Sequence, residues 1–335
     1  GGCQWQHISY QRQLEAKRKI ILTGLKRIGK QIRPIVHPMI GMKRPWAYRN
    51  HLQLSVDGQG QMGFQALGSH NVVPVSKCYI AHPTLNELWT ALDLHPKAIR
   101  RVVLRTGIAT GERMLILEGD EGALPEIEAN LPVSCLYRHA NGETIVLTGD
   151  SHFHERLGGR IFRISGGSFF QVNTLQAEQV VDIVRGDLAL RSNETLLDAY
   201  CGVGTLGLSL ASLARRMVGI EESPWAIQDA MANSAKQDHA RFIRGRVEEI
   251  LPDLDASFDV IVLDPPRAGC ERTALRALAA CNATPIVYVS CDAATLARDV
   301  SYLGSQGYTL AEVQPVDMFP QTYHVEAVAL LYREA

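Results

Sequence analysis

Acids are nearly missing from the start of this sequence. Between residues 1 and 56 there is only Glu15, set against eleven bases: Arg12, Lys17, Arg18, Lys19, Lys26, Arg27, Lys30, Arg33, Lys43, Arg44 and Arg49. Residues 191–335 show the opposite bias, with twelve bases and nineteen acids, so the net charge of −1 conceals a basic lobe on an acidic body. Two readings stay open, a solvated basic helix face over residues 11–30 and a surface for a polyanion such as nucleic acid. Long apolar runs are absent too. None reaches the ~18 residues of a membrane helix, and the polar, basic beginning is no signal peptide. Seven scattered cysteines, an odd number, exclude a disulfide framework and suit a reducing cytoplasm.

There is no internal repeat and no low-complexity segment. What remains is ordinary globular composition, 46% hydrophobic and 21% charged. The 335 residues suffice for two domains on a prior of roughly 150 residues each. The first residue is Gly1 rather than methionine, as expected of a fragment or a processed form.

Residues 8–30 have helical spacing up to the breakers Pro34 and Pro38. From about residue 47 to 165 short alternating runs predict a mostly β domain with one helix near 84–93, and "HLQLSVDGQGQMGFQ" (51–65) reads as a hairpin around Asp57-Gly58. Residues 174–186 read as a connecting helix. From 194 onward apolar runs alternate with helical stretches, the rhythm of an α/β protein with a doubly wound parallel sheet. The last two runs, "LAEVQPVDMF" and "VEAVALLYR", have no helix between them and should pair as an antiparallel hairpin. The expected domains are a basic N-terminal helix (1–34), a central β-rich domain (35–168) and an α/β domain (169–335).

In such sheets ligands bind outside the carboxyl ends of the strands. The residues at those ends are Asp198, Tyr200, Cys201, Glu221, Asp264, Ser290 and Cys291. "LLDAYCGVGTLG" (196–207) holds Gly202-x-Gly204-x-x-Gly207 between a strand and a helix, and Glu221 follows nineteen residues after Gly202, placed to accept from ribose hydroxyls. This spacing suits a dinucleotide or S-adenosylmethionine; Asp198 before the loop leans towards the latter. In "DVIVLDPPRAGC" (259–270) an acid ends a buried strand and two prolines stiffen the chain behind it, either as a wall beside a planar base or as an ordinary edge turn. In "PIVYVSCDAATLARD" (285–299) a thiol stands one step past an apolar strand, just before a helix, where a thiolate can be stabilised.

These motifs, with "FFQVN" (169–173), "VSCDAATLARDV" (289–300) and "VDMFPQTYHVEAVALL" (316–331), resemble the RNA uracil-5-methyltransferase family over nearly the whole chain. Members of that family methylate C5 of one uridine in 23S ribosomal RNA or transfer RNA, using S-adenosylmethionine. The resemblance implies a Rossmann-like methyltransferase domain behind an RNA-facing β-rich domain, working as a cytoplasmic monomer. It implies cofactor contacts from Gln171, Tyr200, Thr205, Glu221 and Asp264; Thr205 stands where asparagine is common in the family. "GGCQWQH" (1–7) is similar to the tail of the family's iron–sulfur signature, and "KCYIAHP" (77–83) to the segment with its last ligand, which makes Cys3 and Cys78 ligands of a four-iron cluster. Two further ligands, and the small β-barrel of many members, have no counterpart in this sequence. Cys135, Cys201, Cys270 and Cys281 read as packing residues.

The chemistry explains the thiol. Uracil C5 is too poor a nucleophile to take a methyl group until a thiolate adds to C6, and a base must then remove the C5 proton. Cys291 is the candidate nucleophile, its pKa expected below the usual ~8.5 through the helix that begins beyond Asp292. Glu326 matches the family's proton acceptor; His324 is the rival base. The base must leave its stack to be reached. The cytosine-5 enzymes would favour a Pro-Cys pair on the "DPPR" strand, which is missing here. Intact Cys291 and Glu326 argue against an idle RNA-binding protein. Calorimetry should show S-adenosylmethionine or its demethylated product binding at micromolar levels and NAD not at all; the reverse pattern would contradict the methyltransferase reading.

Overall fold

The computed structural model describes residues 2–94, 99–120, 127–129 and 131–333. The chain forms two compact units. One holds Gly1–Gln4, Arg44–Gly167 and Gln171–Thr174; the other holds Trp5–Lys43, Ser168–Phe170 and Leu175–Ala335. Helix α1 (Tyr10–Arg27) therefore belongs with the α/β unit.

Mostly strands build the first unit. Its strands are β1 (His51–Val56), β2 (Met62–Gln65), β3 (Val72–Pro74), β4 (Leu92–Leu94), β5 (Ile99–Thr106), β6 (Arg113–Gly119), β7 (Ile127–Ala129), β8 (Ser134–His139), β9 (Thr144–Thr148), β10 (His152–Leu157) and β11 (Arg160–Ser165). Seven of them make one sheet in the order β3-β2-β1-β5-β6-β8-β9, while β10 pairs with β11 and β4 with β7. The first hairpin turns at Asp57, whose carboxylate accepts from the Gln59 and Gln61 amides. Helix α2 (Pro83–Thr90) starts with proline at its first position and buries Leu85 and Leu88.

The second unit is built on runs that are apolar at nearly every position, as expected for strands covered on both faces. Helix α3 (Thr174–Leu188) leads into β12 (Thr195–Ala199), α4 (Thr205–Leu210), β13 (Arg216–Glu221), α5 (Pro224–Asn233), β14 (Ala240–Arg244), α6 (Val247–Ile250), β15 (Val260–Leu263), α7 (Arg272–Ala280), β16 (Ile286–Ser290), α8 (Ala293–Ser305), β17 (Tyr308–Val316) and β18 (Glu326–Arg333). The sheet runs β14-β13-β12-β15-β16-β18-β17. It is parallel from β14 to β16, and β18 enters antiparallel between β16 and β17, giving the expected terminal hairpin. The strand order reverses between β12 and β15, the place where such folds bind ligands. Residues 35–40 run along β17 with bridges Val36–Val313 and Ile40–Val316, which covers that edge strand.

Gly207 fixes how α4 meets the sheet. A Cβ there would lie 2.0 Å from Met217 Cε and 2.6 Å from Asp198 Oδ2. Gly207→Ala should destabilise the protein by about 1–3 kcal/mol through overpacking. Urea unfolding followed by tryptophan fluorescence checks this; an unchanged midpoint would show that α4 can shift without cost.

Candidate active site

The turn after β12 is a tight backbone loop. Tyr200, Gly202 and Gly204 all have positive φ (64°, 55° and 86°), and the Gly204 amide closes the turn on the Cys201 carbonyl at 2.8 Å. A non-glycine residue in this conformation is strained and persists only where its surroundings hold it. The Cβ that Gly202 lacks would meet open space, unlike that of Gly207, so the loop leaves room for a ligand against its backbone. Asp198 is fully buried and accepts from the Gly207 amide at 2.7 Å. Burial pushes its carboxyl up to about 8, against the pull of that hydrogen bond.

Glu221, at the end of β13, accepts from the Gly202 amide (3.0 Å) and the Ser223 amide (2.8 Å). The acid read as a ribose acceptor thus also fastens the glycine loop to the next strand. Thr205 opens α4, and Asn233 donates to the Val203 carbonyl behind the loop. Ser168 donates to buried Asp229 at 2.6 Å, pinning the approach to "FFQVN" on α5. Gln171 itself falls in the first unit, where its carbonyl accepts from Asn50 Nδ2. Open backbone at Gly202, an acid beyond it and the buried Asp198 form a set that fits an adenosyl ligand.

The candidate nucleophile and base lie two strands further along. β16 and β18 are in register at Ser290–Ala327, so Cys291 follows the end of β16 beside Glu326, the first residue of β18. Asp264 directly follows the neighbouring β15. The thiol does not behave as the sequence suggested. Burial, then Glu326, then Asp264 raise its pKa to about 12, with Arg267 opposing. The helix cannot reverse this, because the Asp292 carboxylate already accepts from the Ala294 and Thr295 amides at 2.9 Å each. Glu326, 2% exposed, is likewise held well above the carboxylate range by burial and by Asp264, and Arg267 again opposes.

Sequence reasoning overlooked what fixes Arg267. Its loop is clamped on α8: Arg298 Nη2 donates to the Ala268 and Cys270 carbonyls at 3.0 Å, and Asp299 accepts from the Cys270 amide (2.9 Å) and the Tyr288 hydroxyl (2.7 Å). The signal was the Arg298-Asp299 pair in "TLARDV", two helical turns past the thiol. His324 packs against Phe319 and Tyr323.

The family described as tRNA (uracil-5-)-methyltransferase matches residues 127–334. The chain belongs to this family. It is similar to uncharacterized RNA methyltransferases of Thermosynechococcus vestitus (38% identity, covering 99% of this chain and 82% of that protein) and of Listeria innocua (37%, 99% and 82%). Among solved structures it is similar to the tRNA (uracil-54, C5)-methyltransferase of Pyrococcus abyssi in complex with S-adenosyl-L-homocysteine. The TM-score is 0.80 at 29% identity, covering 98% of this chain and 85% of that one. The protein is an S-adenosylmethionine-dependent RNA methyltransferase.

The family's four-iron cluster is a poorer fit to these residues. Cys3 is half-buried and Cys78 buried, both in the first unit. Among the described residues no three His, Cys, Asp or Glu side chains gather as a metal site. Two thiols fall short of the four that such a cluster takes. No disulfide involves any of the seven cysteines; Cys135, Cys201 and Cys270 are buried.

The thiol's electrostatics can be checked directly. Alkylation of the Cys291 peptide by iodoacetamide, read by mass spectrometry, should be slow at neutral pH and rise steeply only at high pH. Glu326→Gln removes a charge that opposes the thiolate, so its profile should move to lower pH. Arg267→Gln should move it higher. Ordinary thiol reactivity in the unaltered protein would contradict this account.

Proposed function

We propose that this enzyme methylates C5 of a specific uridine in RNA through a covalent bond between Cys291 and C6, with Glu326 as the proton acceptor. The observation that carries the reading is the placement of Cys291 and Glu326 on adjacent ends of paired strands, with Asp264 beside them. Cys291 gives its proton to solvent and the thiolate adds to C6, so that the C5–C6 π electrons move onto O4 and the ring becomes an enolate nucleophilic at C5. S-adenosylmethionine, when bound, supplies the methyl group from its sulfonium. Glu326 then takes the C5 proton as the C6–S bond breaks, and the thiolate leaves. A carboxylate whose pKa lies above the usual range is the stronger base for that step. Asp264, whose charge acts on both groups, would contact the uracil edge, and the flipped base would enter over this strand end.

For the cofactor, Tyr200, Thr205 and Glu221 would hold the adenosyl moiety along the glycine loop, with Asp264 completing the set in this unit; a contact from Gln171 rests on the family resemblance alone. The β-rich unit would face the RNA. The cytoplasm suits a protein whose cysteines form no disulfide. The substrate we favour is 23S ribosomal RNA, because Cys3 and Cys78 match the iron–sulfur branch of the family, whose cluster would then need a longer form of the chain. A second reading, transfer RNA, is supported by the family's description and by the Pyrococcus abyssi structure. Mapping 5-methyluridine in RNA from cells lacking the protein separates the two: a lost site in 23S RNA supports the first, a lost site in transfer RNA the second.

The two catalytic roles should fail differently. With labelled RNA and methyl-labelled cofactor on a denaturing gel, Cys291→Ala should give neither turnover nor adduct. Glu326→Gln should accumulate a methylated protein–RNA adduct while turnover falls at least ~10²–10⁴-fold. Normal turnover in Glu326→Gln, with an adduct trapped by His324→Gln instead, would assign the base to His324. Methylation by Cys291→Ala would remove the thiol from the mechanism.

A further inference from the structure

Helix α1 buries an odd stripe. Its four buried residues are Gln13, Lys17, Ile21 and Leu25, spaced by four, so the inward face is apolar only in its second half. A lysine that stabilised a solvated or RNA-binding face would be exposed. Lys17 has no exposure at all, and neither does its partner Asp317. Lys17 Nζ donates to Asp317 Oδ1 at 2.5 Å and to the Phe319 carbonyl at 2.9 Å.

Every bond from this half of the stripe ends on one segment or on the turn before α1. Gln13 Nε2 donates to Gln321 Oε1 and to the Trp5 and Ile8 carbonyls, each at 3.0 Å, and Gln13 Oε1 accepts from the Gln321 amide at 3.0 Å. The Trp5 amide donates to the Gln321 carbonyl. Gln321 is buried with φ of 70°, a conformation that a residue with a side chain keeps only when its surroundings over-determine it. Gln176 adds a bond to the Asp317 carbonyl.

That segment leads directly into Glu326. Val316, the last residue of β17, pairs with Glu326, and Asp317 follows it. The other half of α1 packs on α8, the helix that starts two residues past Cys291. At Gly24 the approach is so close that a Cβ would lie 2.9 Å from the Ala293 carbonyl oxygen. One helix therefore touches the mountings of both reactive groups.

We infer that α1 is a brace for the catalytic pair, in which Lys17 and Gln13 are positioning residues that set where Glu326 stands relative to Cys291. The inference rests on the roles proposed above for those two residues. It also gives part of the basic N-terminal stretch an internal use: Lys17 serves the fold, and Arg18 donates to the Val36 and His37 carbonyls.

The test uses Lys17→Met in the full chain, with Gln13→Ala as the milder variant that keeps the ion pair and cuts the bonds to Gln321. Glu326→Gln runs alongside as a control. Two readouts are taken after calorimetry has shown that S-adenosylmethionine still binds, which proves the variant folded. The first is turnover with adduct trapping. We expect kcat to fall about tenfold or more with KM for RNA within about twofold, while methylated adduct accumulates because proton removal is the step that slows. The second is the pH profile of Cys291 alkylation, which should move to lower pH as Glu326 drifts away, and which does not depend on the adduct mechanism. Unchanged turnover and unchanged alkylation in either folded variant would overturn the brace. So would a loss of turnover with adduct formation lost in parallel and the alkylation profile unmoved. If Glu326→Gln traps no adduct, the mechanism fails, and the alkylation profile alone still decides the brace.

Discussion

The site depends on one pairing, the antiparallel insertion of β18 between β16 and β17. A parallel sheet collects the carboxyl ends of its strands at one edge. An antiparallel strand delivers its amino end to the same edge, so the first residue of β18 arrives beside the residue that follows β16. Glu326 and Cys291 are neighbours for that reason, although 35 positions separate them in sequence. Side-chain alternation makes the register strict, since a slip of one residue would turn Glu326 to the opposite face. Apolar burial along Ala327, Val328, Ala329 and Leu331 holds it.

Electrostatics at that edge oppose one another. Burial, Glu326 and Asp264 push the thiol's pKa up, and burial with Asp264 pushes up that of Glu326, while Arg267 pulls both the other way. A thiolate made here by default would be exposed to oxidation and to stray electrophiles. Arg267 rides on a loop clamped by Arg298 and Asp299, so the balance is set by the fold rather than by a mobile surface charge.

Much of this was legible in the sequence, for identifiable reasons. Continuous apolar runs marked β12, β15 and β16, and the missing helix between the last two runs marked the hairpin of β17 and β18. Gly202 could be picked out because the tight turn there needs a positive φ, whereas Cys291 was singled out by its place at a strand end and Glu326 by the family resemblance. What could not be read were partners distant in sequence. Lys17 looked like one more base on a charged helix, because nothing local shows that Asp317 lies 300 positions away in the same buried pocket. Local rules also gave the wrong sign for the thiol: a helix start favours a thiolate only while its amides are unused, and Asp292 has taken two of them.

The central claim is that Cys291 and Glu326 act on one uracil ring, the thiolate at C6 and the carboxylate on the C5 proton, with methyl transfer to C5 between the two steps. The most direct measurement is tritium release from RNA carrying uridine labelled at C5, followed beside methyl incorporation. The unaltered enzyme should release one tritium for each methyl group transferred, and Glu326→Gln should transfer the methyl group while the tritium stays on the bound RNA. Methyl incorporation with no tritium release from the unaltered enzyme would place the methyl group on another atom and contradict the account.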